Sequence, residues 1–126
     1  PAAAEAAQPG AIAWVPFDRA AIPRLVAEGR VVFVDVTADW CITCKVNKAA
    51  VIDRDPVAER LKQPRVVAMR ADWTRPDDGI AAYLQSFGRY GIPFNAAYGP
   101  ATPEGVALPE LLTPGAVIEA LDKAER

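Results

Sequence analysis

Two cysteines, Cys41 and Cys44, are the only thiols of the chain, and two residues separate them. This spacing brings both sulfurs within bonding reach across one helical turn. The pair follows a run of β-branched residues and opens an expected helix. The free N–H groups and the dipole at a helix N-terminus stabilise a thiolate and lower its pKa. The sequence therefore predicts dithiol–disulfide exchange.

Different roles are expected for the two thiols. Cys41, at the extreme end of the helix, is predicted to be the exposed nucleophile that attacks a partner disulfide. Cys44, one turn further in, is predicted to be the shielded thiol that resolves the mixed disulfide. Two other uses stay open. A purely stabilising disulfide is one, although closing so short a loop constrains the unfolded chain little. A soft-metal pair, as in copper chaperones, is the other, although no third ligand is near in sequence.

Composition excludes much other chemistry. The chain of 126 residues has no His, so neither a Ser-His-Asp nor a Cys-His nucleophile can be built from it alone. Two cysteines cannot form an all-cysteine zinc site, and haem attachment needs a His where Lys45 stands. We expect no metal and no cofactor. A net charge of −2 gives no electrostatic footprint for nucleic acid, and no apolar run is long enough to span a membrane.

One carboxylate stands out because of its surroundings. Asp35 interrupts the strand predicted over Val31–Val36, which is apolar on both faces and is therefore expected to be a central, covered strand. An acid buried in such a strand should have a raised pKa, which suits proton exchange near neutral pH. The alternative is an edge strand on which Asp35 faces solvent.

The remaining pattern predicts an α/β domain, a central mixed sheet with helices on both faces. Two parallel β-α-β steps are expected, then a hairpin and a closing helix. Residues 1–13 are predicted to be an arm or linker and 14–126 the domain; because the chain begins at Pro1, we expect it to be a piece of a longer protein. The predicted strands cover 31–36, 65–71, 94–98 and 105–108, with an extended edge segment at 14–17. The predicted helices cover about 18–28, 41–53, a short one with Pro56 at its first position, 77–88 and 113–123.

The active-site segment resembles a known family. Residues 34–45 resemble the active-site segment of thioredoxin-fold proteins. More narrowly, the run Thr-Ala-Asp-Trp-Cys-x-x-Cys-Lys-Val-Asn is similar to the C-terminal periplasmic domain of the DsbD family of thiol:disulfide interchange proteins, which includes the suppressor-of-copper-sensitivity relatives. Residues 71–74, 90–93 and 108–114 support the resemblance. It implies a thioredoxin-like fold from about Trp14 to the last helix.

The resemblance also implies roles for individual residues. Asp35, six residues before the first cysteine, would be the buried acid that moves protons to and from the second thiol. Pro93 would be the cis-proline that faces the active site, and the backbone of Ile92 would pair with a bound partner strand. Trp40, beside Cys41, is expected to shield the thiol and to offer partners an apolar contact; a core aromatic is the alternative.

Two lysines are possible modulators. The DsbD family often has a second acid seven residues after the first cysteine, where this chain has Lys48. A cation there would favour the thiolate if it reached the site; the alternative is a solvated lysine on an exposed helix face. The same choice applies to Lys45, for which we favour solvation. We further expect Asp39 to cap the helix, and Tyr90 to be a packing residue.

These inferences predict a protein-disulfide reductase with protein disulfides and dithiols as partners. The resemblance implies a relay that takes electrons from a membrane-embedded domain of the same parent protein and passes them to its N-terminal periplasmic domain or another periplasmic acceptor. The expected location is periplasmic, as a domain of an inner-membrane protein, with the isolated domain monomeric. The alternatives are a free-standing thioredoxin-like reductase and, from another class, a copper-handling dithiol module.

Overall fold

The computed structural model describes residues 11–126, which form one mixed α/β unit. Ten elements follow one another along the chain, and the second helix continues directly into a π-helical turn, Lys48–Ile52. In chain order the elements are β1 (Val15–Pro16), α1 (Ala21–Ala27), β2 (Val31–Thr37), α2 (Ile42–Asn47), α3 (Val57–Leu61), β3 (Val66–Asp72), α4 (Asp78–Gln85), β4 (Phe94–Gly99), β5 (Thr102–Ala107) and α5 (Pro114–Glu125).

The five strands form a single sheet in the order β1-β3-β2-β4-β5. Strands β1 and β2 run parallel to β3. Strand β4 runs antiparallel to β2, and β5 runs antiparallel to β4. The predicted mixed sheet is therefore confirmed, with β2 at its centre and β1, as expected from Pro16, at an edge.

The direction of β4 was predicted wrongly. A second parallel step was expected from β3 to β4, but β4 lies on the far side of β2 and antiparallel to it. The reason is that β4 is buried along its whole length. A strand covered on both faces shows the same continuous apolar pattern in either direction, so the pattern cannot distinguish them.

Each face of the sheet has its own apolar core. The π-helical turn, α3 and α5 cover one face, and α1 and α4 cover the other. The side chains of β2 alternate between the two faces: Val31 and Phe33 point to the first, and Val32, Val34 and Val36 to the second. Asp35 belongs by this alternation to the first face. On the second face the hydroxyls of Tyr83 and Tyr98 form a buried hydrogen bond of 2.6 Å.

Several element boundaries differ from the predictions. Ile12 is buried and packs in the first core, so the packed unit includes one position of the predicted arm; residues 1–10 lie outside the described part of the chain. Helix α1 begins at Ala21, after a turn that starts at Asp18. Pro56 is the N-cap of α3 rather than its first residue. Among the described residues, no helix has both the length and the apolarity that a membrane crossing requires.

Candidate active site

The two cysteines lie at the start of α2, directly after the central strand, and form a disulfide with their Cα atoms 5.3 Å apart. Cys41 is the N-cap residue, and its sulfur accepts a hydrogen bond of 3.1 Å from the backbone N–H of Cys44. Asp39 is therefore not the cap: it lies two residues before that position, and the sulfur occupies the place of the usual capping oxygen. Negative charge that develops on Cys41 would face an N–H donor and the helix dipole.

Both cysteines are buried in the disulfide form. Their exposed fractions are 6% for Cys41 and 5% for Cys44, so the prediction that Cys41 is exposed is wrong for this form. The two residues pack with Ala38, and Ile92 lies against them. Exposure thus does not distinguish the nucleophile. The two cysteines differ in position instead, because Cys41 caps the helix while Cys44 lies within its first turn.

Asp35 lies in the interior, with an exposed fraction of 6%. Its strand is the central one, which excludes the solvent-facing edge position. It lies opposite Arg70 of β3 on one side and opposite Asn95 of β4 on the other. The Arg70 Nε donates to Asp35 Oδ2 at 3.1 Å, and Asn95 Nδ2 donates to Asp35 Oδ1 at 2.8 Å. The carboxylate is therefore held from both neighbouring strands.

Burial raises the pKa of Asp35 above its ordinary value of 3.8, because a charged carboxylate loses hydration in the interior. The positive charge of Arg70 opposes this rise most strongly, and the hydrogen bonds from Asn95 and Arg70 add to the opposition. The net direction is upward. A carboxyl with a raised pKa can take up a proton nearer to neutral pH than an exposed aspartate can, which is the property that proton exchange with a thiol requires.

Sequence reasoning missed the two partners of Asp35. Arg70 and Asn95 are 35 and 60 residues away along the chain, and only the strand register brings them beside the acid. A weak signal existed, because each is a polar residue inside a strand that otherwise reads as buried. Arg70 also stacks on the Trp14 ring, with its guanidinium carbon 3.8 Å from the ring centroid, and this contact orients it.

The Ile92–Pro93 peptide bond is cis, as is Asp55–Pro56. Ile92 and Pro93 come just before Phe94, the first residue of β4 that pairs with β2. Pro93 is buried, whereas Ile92 is half-buried and packs on the cysteine pair. Ile92 thus packs against the cysteine pair and lies outside the pairing of the sheet, where an added strand could meet its backbone.

Trp40 and Tyr90 are exposed aromatic residues. Trp40 has an exposed fraction of 59% and Tyr90 one of 79%, so neither is a core or packing residue. The Trp40 indole Nε1 donates to the backbone oxygen of Thr74 at 3.2 Å. Ile42, in the first turn of α2, is exposed as well. The surroundings of the buried disulfide therefore present apolar groups to a partner.

Lys45 and Lys48 line a cleft of ≈ 420 Å³ between α2 and the edge of the sheet, together with Arg70. Lys48 Nζ lies 2.6 Å from Asp53 Oδ2 and forms an ion pair with it. Lys48 is thus an exposed helix residue with a local partner, which agrees with the alternative of a solvated lysine on an exposed helix face. Lys45 is exposed and forms no ion pair within the described part of the chain.

Asn47 connects the active-site helix to a distant loop. Its side chain is buried. Its Nδ2 donates to the backbone oxygen of Glu110 at 2.8 Å, and its Oδ1 accepts from the backbone N–H of Leu112 at 3.1 Å. Leu111, between these two contacts, is exposed. The loop before α5 is therefore fastened to the helix that carries both cysteines.

Within residues 11–126, no three His, Cys, Asp or Glu side chains are grouped in a way that could hold a metal ion. The chemistry that the site offers is that of two cysteines at the start of a helix, which follows the strand that carries a buried acid. Such an arrangement can exchange a dithiol for a disulfide.

Residues 13–100 match a protein family described as thioredoxin-like. Over 67 residues the chain is 37% identical to the thiol:disulfide interchange protein DsbD of a Pseudomonas species; the match covers 53% of this chain but only 11% of that relative. The structure is similar to those of the C-terminal domain of Neisseria meningitidis DsbD. The reduced form gives a TM-score of 0.63 at 23% identity, with 84% of this chain and 92% of that one covered. The oxidised form gives 0.64 at 23% identity, with coverages of 84% and 91%.

Proposed function

Since the chain belongs to the thioredoxin-like family, we propose that it is a protein-disulfide reductase in which Cys41 and Cys44 exchange a dithiol for a disulfide. One observation carries the proposal. The disulfide lies at the start of α2, where the sulfur of Cys41 already accepts the N–H of Cys44. That N–H and the helix dipole stabilise the Cys41 thiolate when the pair is reduced.

The first half of the cycle is an attack by Cys41. In the reduced domain its thiolate attacks one sulfur of the partner disulfide. The partner's S–S bond breaks, a mixed disulfide forms between Cys41 and the partner, and the partner's other sulfur leaves as a thiolate. Trp40, exposed beside Cys41, and the free backbone of Ile92 before Pro93 bind the partner segment in this step.

The second half is resolution by Cys44. Cys44 transfers its proton to Asp35 and attacks the sulfur of Cys41. The mixed disulfide breaks, the Cys41–Cys44 disulfide forms, and the partner's second sulfur leaves as a thiolate that takes up a proton from solvent. Two electrons have then passed from the domain to its partner. The raised pKa of Asp35 supports its role as the temporary proton acceptor.

Trapping tests the roles of the two cysteines. Cys44→Ala should form a stable mixed disulfide with a disulfide-containing protein such as insulin, seen as an adduct that dithiothreitol releases. Cys41→Ala is the matched control and should form none. An adduct only with Cys41→Ala would reverse the assignment. No adduct with either variant, together with tight stoichiometric copper(I) binding by the reduced domain, would favour the copper-handling module instead.

An equilibrium titration of the pair against glutathione tests the direction of flow. A reductase should have a potential near that of thioredoxin, about −270 mV. A value near the roughly −120 mV of DsbA would mark the domain as an oxidant and overturn the reductase assignment.

The wider setting is also part of the proposal. The chain spans about a tenth of the length of the curated relative that it matches. We infer that it is a periplasmic domain of a DsbD-like membrane protein, which receives electrons from the membrane-embedded part of its parent and passes them to an N-terminal periplasmic domain or another periplasmic acceptor. The similarity to DsbD supports this reading. The coding sequence upstream of Pro1 tests it: several membrane-spanning segments are expected, and their absence would favour a free-standing reductase.

A further inference from the structure

The Ala-Asp-Trp triplet occurs twice, at 38–40 before Cys41 and at 71–73, where β3 ends. The two copies lie side by side, because the last residues of the parallel strands, Thr37 and Asp72, are register partners. The backbone N–H of Trp73 also donates to the oxygen of Thr37 at 2.7 Å. The chain that leaves β3 therefore runs beside the chain that leads into the active-site helix.

Thr74, the residue after the second triplet, is held by Asp72. Its backbone N–H donates to Asp72 Oδ1 at 2.9 Å, and its hydroxyl donates to the same oxygen at 2.5 Å. These two hydrogen bonds lower the pKa of Asp72, so the carboxylate stays ionised at neutral pH. Because an ionised carboxylate can only accept, the single hydroxyl proton of Thr74 points towards Asp72.

The same threonine then holds the first triplet. Its hydroxyl oxygen, whose proton is already used, accepts the backbone N–H of Asp39 at 2.9 Å. Its backbone oxygen accepts the indole N–H of Trp40 at 3.2 Å. Trp40 is mostly exposed, so few packing contacts restrict its rotamer, and the hydrogen bond to Thr74 selects one orientation for the ring.

We propose that Asp72 and Thr74 are positioning residues that hold Trp40 in the orientation in which it receives a protein partner beside Cys41. The inference rests on the proposed reductase function. A protein disulfide would approach across the Trp40 ring, whereas a small disulfide needs little of that surface. The pair should therefore affect reactions with protein disulfides and leave those with small disulfides unchanged.

The experiment compares Thr74→Val, which keeps the shape and removes the hydroxyl, with Thr74→Ser, which keeps the hydroxyl. Thr102→Val is the matched control, because the buried hydroxyl of Thr102 has no hydrogen-bond partner within residues 11–126. The first readout is the indole N–H signal of Trp40 in nuclear magnetic resonance, identified by its loss in Trp40→Phe. We expect Thr74→Val to shift this signal and to speed its exchange with solvent by about three- to tenfold, the effect of one neutral hydrogen bond. Thr74→Ser and Thr102→Val should match the wild type.

The second readout is reductase kinetics with two disulfides. With insulin, Thr74→Val should raise KM by about three- to tenfold at a nearly unchanged kcat, and Thr74→Ser should restore it. With oxidised glutathione, all variants should match the wild type. An unchanged indole signal in Thr74→Val, or an equal loss with both disulfides, would overturn the positioning role. A wild-type protein inactive on both disulfides would instead contradict the reductase proposal, and the indole signal alone would then decide whether Thr74 holds Trp40.

Discussion

Each face of the sheet contains a buried, hydrogen-bonded cluster of polar side chains, and the two clusters differ in kind. On the face covered by the π-helical turn, α3 and α5, Asp35 is joined to Arg70 and Asn95. On the opposite face, the hydroxyls of Tyr83 and Tyr98 satisfy each other. Burial raises the pKa of the acid and of both tyrosines alike.

The same physical cause has opposite consequences on the two faces. A raised pKa keeps the tyrosines neutral at any pH at which thiols exchange, so their bond serves stability alone. A raised pKa brings the aspartate towards the pH range in which it can gain and lose a proton. Its two donors come from neighbouring strands and oppose the rise. We therefore infer that one face buries a polar pair to specify packing, and the other buries an acid for proton transfer.

Asp35→Asn should have the largest effect on this contrast. An amide cannot accept the thiol proton, so resolution of the mixed disulfide by Cys44 should slow by about 10²-fold near neutral pH, the lower range for general acid–base catalysis. Asn can keep a hydrogen bond to Arg70, and the Asn95 amide can flip to pair with it. Stopped-flow measurement of partner release gives the rate.

Asp18→Asn, at an exposed aspartate, is the control and should behave as the wild type.

The pH dependence of the free energy of unfolding provides a second check, and its direction can be predicted. Because the folded pKa of Asp35 is raised, its contribution to stability is complete below its ordinary pKa of 3.8 and is lost as the pH rises through the folded pKa. Asp35→Asn should remove this loss in denaturant titrations. An unchanged resolution rate would contradict the proton-transfer role.

Tyr83→Phe should affect stability and not exchange. The ring keeps its contacts with Phe17, Phe87 and Phe94, but the buried Tyr98 hydroxyl loses its partner, which costs about 1–3 kcal/mol. Urea unfolding measures this loss. The double variant Tyr83→Phe/Tyr98→Phe should recover part of it, because neither hydroxyl is then left unpaired. A slower resolution step in Tyr83→Phe would break the contrast between the faces.

Arg70→Met should move the pH profile of resolution to higher pH. Arg70 is the strongest of the groups that lower the pKa of Asp35, so its removal lets burial raise that pKa further. Methionine keeps much of the length of the side chain, although it loses the guanidinium that stacks on Trp14. The rate of partner release, measured across pH in the Cys41 mixed disulfide, reports the shift. An unchanged profile would show that the charge of Arg70 does not act on Asp35, and a shift to lower pH would contradict the expected direction.

Asn95→Leu should also move the pH profile of resolution to higher pH, by less than Arg70→Met does. Its hydrogen bond lowers the pKa of Asp35 less than the charge of Arg70 does. Leucine is close in size, so the strand packing should persist. Asp18→Asn is again the control, because Asp18 is exposed and is not among the groups that shift the pKa of Asp35. A larger shift for Asn95→Leu than for Arg70→Met would reverse the ranking of the two donors.

The sequence predicted what local patterns determine. The β-branched run over Val31–Val36 identified the central strand, and the placement of Cys41 and Cys44 after it identified the site. It could not predict the direction of β4, which a two-sided apolar pattern leaves open. It also missed Arg70 and Asn95, because strand register alone places them beside Asp35.

Local sequence patterns were also insufficient for two residues near the cysteines in sequence or in the predicted site, Asp39 and Tyr90. Local rules assigned the helix cap to Asp39, but the cap is the sulfur of Cys41. They assigned packing to Tyr90, which is mostly exposed. The first error arises because capping depends on how the chain turns between β2 and α2, and that turn is held by Thr74, a residue 35 positions away. The second arises because Tyr90 lies in the loop between α4 and β4, where no periodic pattern indicates which side chains are buried. The sequence identified the candidate catalytic residues Cys41, Cys44 and Asp35. It did not identify the residues that hold Asp35 and the turn before Cys41, which are Arg70, Asn95 and Thr74.

The hydrogen bonds between the Asn47 side chain and the loop before α5 have a consequence for binding. A loop that orders only when a partner arrives loses conformational entropy at that moment, and the affinity falls accordingly. The Asn47 side chain already joins the loop around Leu111 to the active-site helix through two hydrogen bonds to the loop backbone. The loop therefore loses its conformational entropy during folding and not during binding. A partner that touches Leu111 therefore meets a preorganised surface, and even a brief encounter during electron transfer can use it.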